Sequence, residues 1–199
     1  MTIFQLLMLG ASAFFAFKIY EHIQTLQDPE SNNDNNDTYD EEKSADTFSP
    51  FSPEALVEKA DLAFEEKDYK KALALLTEAN AKDINNEDIL FKIAYILQQS
   101  GDDEEAMKYY KDALSLDKKN ETVHNAIASL YRKNSEFTSA KIHLNASLDI
   151  DPQNPITYYN YGNLFVDMQH NEEAIGIYEK AIELNPEFSE AKEELEKLR

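Results

Sequence analysis

Residues 155–188 read PITYYNYGNLFVDMQHNEEAIGIYEKAIELNPEF, and the small residues in this stretch decide the fold. Gly162, Ala174 and Ala181 stand at fixed intervals, with large side chains such as Tyr158 and Tyr178 at helical spacing around them. The same three places recur upstream in steps of 34 residues. Ala174 is preceded by Ala140, Ala106 and Ala72, Gly162 by Ala128, Ala94 and Ala60, and Ala181 by Ser147, Ala113 and Ala79. The large positions keep the same step: Leu56, Leu90 and His124 lead to Tyr158, and Leu76, Tyr110 and Leu144 lead to Tyr178. An aromatic or acidic turn position falls at Tyr69, Asp103, Phe137 and Asn171. Asp151-Pro152 and Asn185-Pro186 close the last two units, where Asp83-Ile84 and Asp117-Lys118 stand in the first two. No insertion disturbs the register over four units.

Small residues at such places let the two helices of a hairpin approach closely and let the next hairpin stack on them. Proline at the end opens a turn because it cannot continue a helix. The spacing and the small–large alternation resemble the tetratricopeptide repeat. The best copy runs from Tyr158-Tyr159-Asn160-Tyr161-Gly162-Asn163-Leu164-Phe165 through Ala174, Tyr178 and Ala181 to Asn185-Pro186. The resemblance covers about two-thirds of the chain and places units at 53–86, 87–120, 121–154 and 155–188. Lys59 and His124 depart from the apolar residues usual at their places. The resemblance implies an all-α fold of four helix hairpins in a right-handed superhelix. Residues 189–199 follow with Phe188, Ala191, Leu195 and Leu198 on one face and charge on the other, as a capping helix requires. At the other end, Ser52-Pro53-Glu54 offers a helix cap, a proline at the first helical position and an early acid.

Composition agrees with helices and narrows the partners. Among 199 residues there are only four glycines and six prolines. The net charge of −20, with no compensating basic stripe, repels nucleic-acid phosphates and anionic lipid head groups. It favours basic or polar peptide partners. The absence of cysteine removes disulfide scaffolds, cysteine zinc sites and thiol nucleophiles.

Ahead of the repeats lie two other zones. Residues 3–17, IFQLLMLGASAFFAF, carry no charge, and Lys18 with Tyr20 extends them toward bilayer length by snorkelling and interfacial anchoring. A core helix would show a polar stripe, and a cleaved secretory signal would show a positive start and small residues where Phe14, Phe15 and Phe17 stand. Residues 1–26 are therefore expected to be a retained transmembrane anchor. Lys18, on the C-terminal side, leaves the repeats in the cytoplasm by positive-inside reasoning. The expected location is a bacterial inner membrane, crossed once. Residues 27–52 hold a run of acids and asparagines with almost nothing apolar, the composition of an extended, disordered acidic linker.

Catalytic chemistry finds no footing. His22, His124, His143 and His170 are scattered, and no partner at metal or triad spacing is expected from the helical register. His124 falls on a core-facing place and reads as a hydrogen-bonded structural residue. Glu104-Glu105 and Glu172-Glu173 start second helices, where they complement the dipole. No catalytic residue, metal, cofactor or small-molecule substrate is expected.

What remains is an inner wall. Carrying the family's inner-wall places onto this register gives Val57, Asp61 and Phe64, then Phe91, Tyr95, Gln98 and Gln99. Asn125, Ser129, Arg132 and Lys133 follow, then Tyr159, Asn163 and Val166. Aromatics can hold the side chains of an extended peptide while amides bond its backbone. The family's two-carboxylate clamp for chaperone tails is not carried over, because Val57, Asp61, Thr122 and Ala126 occupy clamp places and only Lys92 fits. The expected function is a membrane-tethered scaffold that binds a protein or peptide through its concave groove. The alternatives are a subunit of a larger envelope assembly bound by its convex face, or an exported periplasmic co-chaperone or accessory factor. For the anchor, carbonate-washed membranes should retain the full chain, whereas residues 47–199 alone should stay in solution. A full chain that washes off, or a mature N-terminus beyond Ala16, would overturn it.

Overall fold

The computed structural model describes residues 51–199. The expected anchor, and the linker up to its last two residues, lie outside the described residues. No helix among the described residues is long and apolar enough to cross a membrane. The described chain is all-helical: α1 (Pro53–Glu65), α2 (Tyr69–Lys82), α3 (Glu87–Ser100), α4 (Asp103–Leu116), α5 (Glu121–Lys133), α6 (Phe137–Ile150), α7 (Pro155–Asp167), α8 (Asn171–Leu184) and α9 (Ser189–Lys197). Successive helices pair as antiparallel hairpins, and the second helix of each packs against the first helix of the next. The final helix, α9, packs on α8, burying Ala191 and Leu195.

Local chemistry sets each boundary. Ser52 accepts a hydrogen bond from the Ala55 N–H at 3.2 Å, with Pro53 at the first helical position. At the same place one repeat later, Asn86 caps α3 through Ile89 N, Asn120 caps α5 through Val123 N, and Asn154 caps α7. Each such side chain satisfies an otherwise orphaned amide, worth about 1 kcal/mol. The first helices also end alike. Lys67, Gly101, Ser135 and Gln169 take left-handed φ values of 61, 90, 61 and 63°. In each turn the next amide reaches back to a carbonyl in the last turn of the helix, as from Asp68 N to Ala63 O and from Glu136 N to Tyr131 O. Only one of the four turns uses glycine, the residue with no steric penalty there. Tyr69, Asp103, Phe137 and Asn171, expected in the turn, are instead the first residues of the second helices.

The core follows the small–large pattern. Ala72, Ala106, Ala140 and Ala174 are completely buried, as are Ala79, Ala113, Ser147 and Ala181. The large residues of the second helices, Leu76, Tyr110, Leu144 and Tyr178, are also buried. In the last hairpin the fit is so close that a Cβ on Gly162 would stand 2.4 Å from the Tyr178 ring. The aromatic ring fills the space that a side chain would need, so a Cβ at 162 would force the Tyr178 ring to shift.

Replacing Ala106 or Ala140 by Leu pushes a branched chain into space that facing helices already occupy. Each variant should lose about 1–3 kcal/mol of stability. Thermal or denaturant unfolding measures it, and two variants that unfold like the parent would refute the packing described.

Candidate functional site: the face of the first helices

The first helices α1, α3, α5 and α7 lie side by side, and their outward face holds most of the residues singled out from sequence. Ion pairs tie neighbouring hairpins there. Lys92 on α3 donates to both oxygens of Asp61 on α1 at 2.7 Å. Arg132 on α5 reaches Asp167 on α7 at 2.6 Å, and Lys133 reaches Asp103 on α4 at 2.5 Å. These pairs are partly exposed, so each adds little stability, but together they occupy the cations of this face. Arg132 and Lys133, expected as a basic pair for a ligand, are already engaged.

At the N-terminal end the face is aromatic. The Tyr95 ring is 40 % exposed and packs against Phe64 at 5.5 Å and Phe91 at 6.3 Å between centroids. Phe91 rests in turn on Tyr110, whose hydroxyl donates to Gln98 at 2.8 Å. Burial pushes the Tyr110 phenol well above its usual range, so it remains a neutral donor. Gln98 is thus a tie between the two helices of its hairpin, while Gln99 is exposed. Ser129 is half-buried on α5. At the C-terminal end, Tyr159 packs against Tyr178 and Phe188, and Asn163 accepts the Tyr178 hydroxyl at 2.7 Å.

Asn125 is a correction. It was expected on the groove wall beside Phe91 and Tyr159, and it is instead 5 % exposed. Its amide nitrogen donates to Ser147 at 3.0 Å and Thr157 at 2.8 Å, and its oxygen accepts from Asn160 at 3.1 Å. The physical reason is composition. Ser147 and Thr157 place two buried hydroxyls between the third and fourth hairpins, and an amide facing inward satisfies both.

The histidines add a contact that was not named from the sequence. His124, expected as a hydrogen-bonded structural residue, meets His143 with their Nδ1 atoms 3.0 Å apart. They occupy matching places on α5 and α6 where the other hairpins set apolar residues against each other: Leu56 with Leu75, Leu90 with Tyr109, and Tyr158 with Ile177. That repeat correspondence was the signal in the sequence that could have found the pair. Among the described residues no group of three or more metal-ligating side chains gathers, at this pair or elsewhere.

Comparison with known proteins agrees with this geometry. A tetratricopeptide-repeat model matches residues 63–130, and a second model of the same repeat matches 122–154 and 156–188. The chain belongs to the tetratricopeptide-repeat family. Members are generally non-enzymatic protein-interaction scaffolds, and the chain is a scaffold of that type. Its fold is similar to pilF of Pseudomonas aeruginosa, with a TM-score of 0.66 at 20 % identity over 73 % of this chain and 67 % of that one. It is similar also to MamA of Desulfovibrio magneticus RS-1, with a TM-score of 0.62 at 19 % identity over 73 % and 82 % of the two chains. YrrB, described as a TPR protein with an unusual peptide-binding site, gives a TM-score of 0.61 at 17 % identity over 78 % and 77 %. At these identities the likeness is one of fold. A stretch of 76 residues is 33 % identical to Protein O-mannosyl-transferase F38B6.6 of Caenorhabditis elegans, covering 38 % of this chain and 11 % of that protein. The chain thus spans about a tenth of that relative.

Burial, then the neighbouring His124 and then Lys111 hold His143 below the usual histidine range. A histidine whose folded pKa is depressed contributes full stability above its unfolded value, near 6.5. That contribution is lost as the pH falls below this value toward the folded one. Replacing both histidines by Leu restores the apolar pair of the other hairpins. The double variant should therefore lose less stability than the parent between about pH 7 and pH 5.5. Equal losses in paired denaturant titrations would remove the histidine pair as a source of acid sensitivity.

Proposed function

We propose that the chain is a membrane-tethered adaptor whose first-helix face takes an extended protein segment. Residues 1–26 supply the anchor and residues 27–52 an acidic tether that holds the repeats near the membrane surface. The repeats lie on the cytoplasmic side. Tethering raises the effective concentration of membrane-proximal partners, so modest intrinsic affinity suffices.

The observation that carries this reading is Tyr95. A tyrosine ring left 40 % exposed, yet fixed by Phe64 and Phe91, is a preorganised anchor of the kind that dominates binding energy at interfaces. Gln99 beside it and Ser129 on the next hairpin offer hydrogen bonds to an extended backbone. The peptide-binding site in YrrB's description supports the same use of this fold. Tyr159 and Asn163 extend the surface at its far end. The alternative, a subunit of an envelope assembly bound through the second helices, has one observation in its favour. Ile142 on α6 is 62 % exposed, and its chain neighbour Lys141 lines a cleft of about 280 Å³ with Leu148, Tyr161, Phe165 and Ile177.

The test is crosslinking and recovery of partners from membranes. Tyr95→Ala with Gln99→Ala should reduce recovery at least about tenfold, equivalent to 1.4 kcal/mol. Both side chains are exposed, so the helical signal should be unchanged. Lys141→Ala with Lys180→Ala, on the second helices, should leave recovery intact. The reverse pattern would move binding to the second-helix face and favour the assembly reading.

A further inference from the structure

We infer that the Phe64–Phe91–Tyr95 platform is a seat for a cationic side chain, arginine above all, carried by the extended segment. This rests on the first-helix face being the binding surface, and it names the chemistry of the partner.

Three observations point the same way. The platform is built of π faces that cannot yield. Phe64 also packs on Tyr69 at 5.5 Å, Phe91 on the buried Tyr110 at 5.6 Å, and Tyr95 lies nearly parallel to Phe91 at 14° between planes. A planar guanidinium stacks on such a ring with its positive charge against the negative quadrupole. The surrounding charge is the second observation. Lys92 beside the platform is neutralised by Asp61, which leaves the exposed Glu65, next to Phe64 at the end of α1, as negative charge there. The whole chain carries −20, which draws cationic segments and repels acidic ones.

The third observation disfavours the opposite preference. Lys92, Arg132 and Lys133 are each held by an aspartate, at 2.7, 2.6 and 2.5 Å. A carboxylate ligand would have to share one of these cations with the aspartate that already holds it, and the two carboxylates would repel. A cation on Tyr95 disturbs none of these pairs, and it leaves the Lys92–Asp61 tie between the first two hairpins in place. The position of Tyr95 in the repeat adds specificity. Its equivalents are Asp61, Ser129 and Asn163, so only the second hairpin presents a ring at that place.

Fluorescence anisotropy on the full chain in detergent tests this with three pools of labelled extended peptides. The pools share apolar and proline content and carry several arginines, no charge, or several glutamates. The arginine pool should bind about fivefold tighter than the neutral pool, or more. The glutamate pool should bind weakest. Tyr95→Leu should erase the arginine preference, and Tyr95→Phe should keep it. The preference should also survive added salt better than attraction to diffuse surface charge does. A glutamate preference, an arginine preference that survives Tyr95→Leu, or no binding by any pool would overturn the inference. If the neutral pool binds as well as the arginine pool and both are lost in the Tyr95→Ala, Gln99→Ala variant, the groove stands and the cation seat falls. If the arginine pool binds but ignores both Tyr95→Leu and that double variant, the groove reading falls with it.

Discussion

The fold depends on how closely two helices of a hairpin can approach. Leu76, Tyr110, Leu144 and Tyr178 each need room against the preceding helix, and Ala60, Ala94, Ala128 and Gly162 supply it. At Gly162 the dependence is extreme, since even a methyl group would enter the Tyr178 ring. Everything on the first-helix face follows from this contact. It sets the shape of each hairpin, and hairpins of one shape stack in register, so that Lys92 reaches Asp61, Arg132 reaches Asp167, and Tyr95 rests on Phe64. Close packing is unforgiving of volume, so the geometry of the face is inherited from residues that never touch it.

Much of the fold could be read in the sequence because its signal is repetition. A step of 34 residues repeated through four units outweighs the ambiguity of any single helix. The second-helix positions were legible one by one, since burial tolerates only small residues at Ala72, Ala106, Ala140 and Ala174. The turns were less so. Lys67, Ser135 and Gln169 hold left-handed conformations that their side chains do nothing to advertise, and only Gly101 announces one. They are held by the backbone bonds of the turn, which no residue type encodes.

The candidate site was legible in outline and not in its polar detail. Periodicity assigns a residue to a face of its helix, but it cannot say which way a short amide turns when hydroxyls from another hairpin are within reach. Asn125 was lost to the core for that reason, because Ser147 is 22 and Thr157 32 residues away in sequence. Pairing also hides from periodicity. Arg132 and Lys133 look available until Asp167 and Asp103 are seen beside them. His124 and His143 look isolated until the repeat is laid over itself.

The Asn125 network has a consequence for how the array holds together. In a stack of repeats each unit is supported only by its neighbours, so cohesion is a chain of joints rather than one mass. One apolar core runs from the first hairpin as far as Leu130 on α5, and a second gathers Ala128, Ala140 and Leu144 of the third hairpin with Tyr161 and Leu164 of the fourth. Beside that second core the same two hairpins also meet through buried amide and hydroxyl contacts of Asn125, Ser147 and Thr157. Polar contacts of this kind demand direction. Apolar ones tolerate sliding. The polar contact therefore keys the joint: it sets the orientation of the fourth hairpin on the third more strictly than the apolar contact beside it could alone.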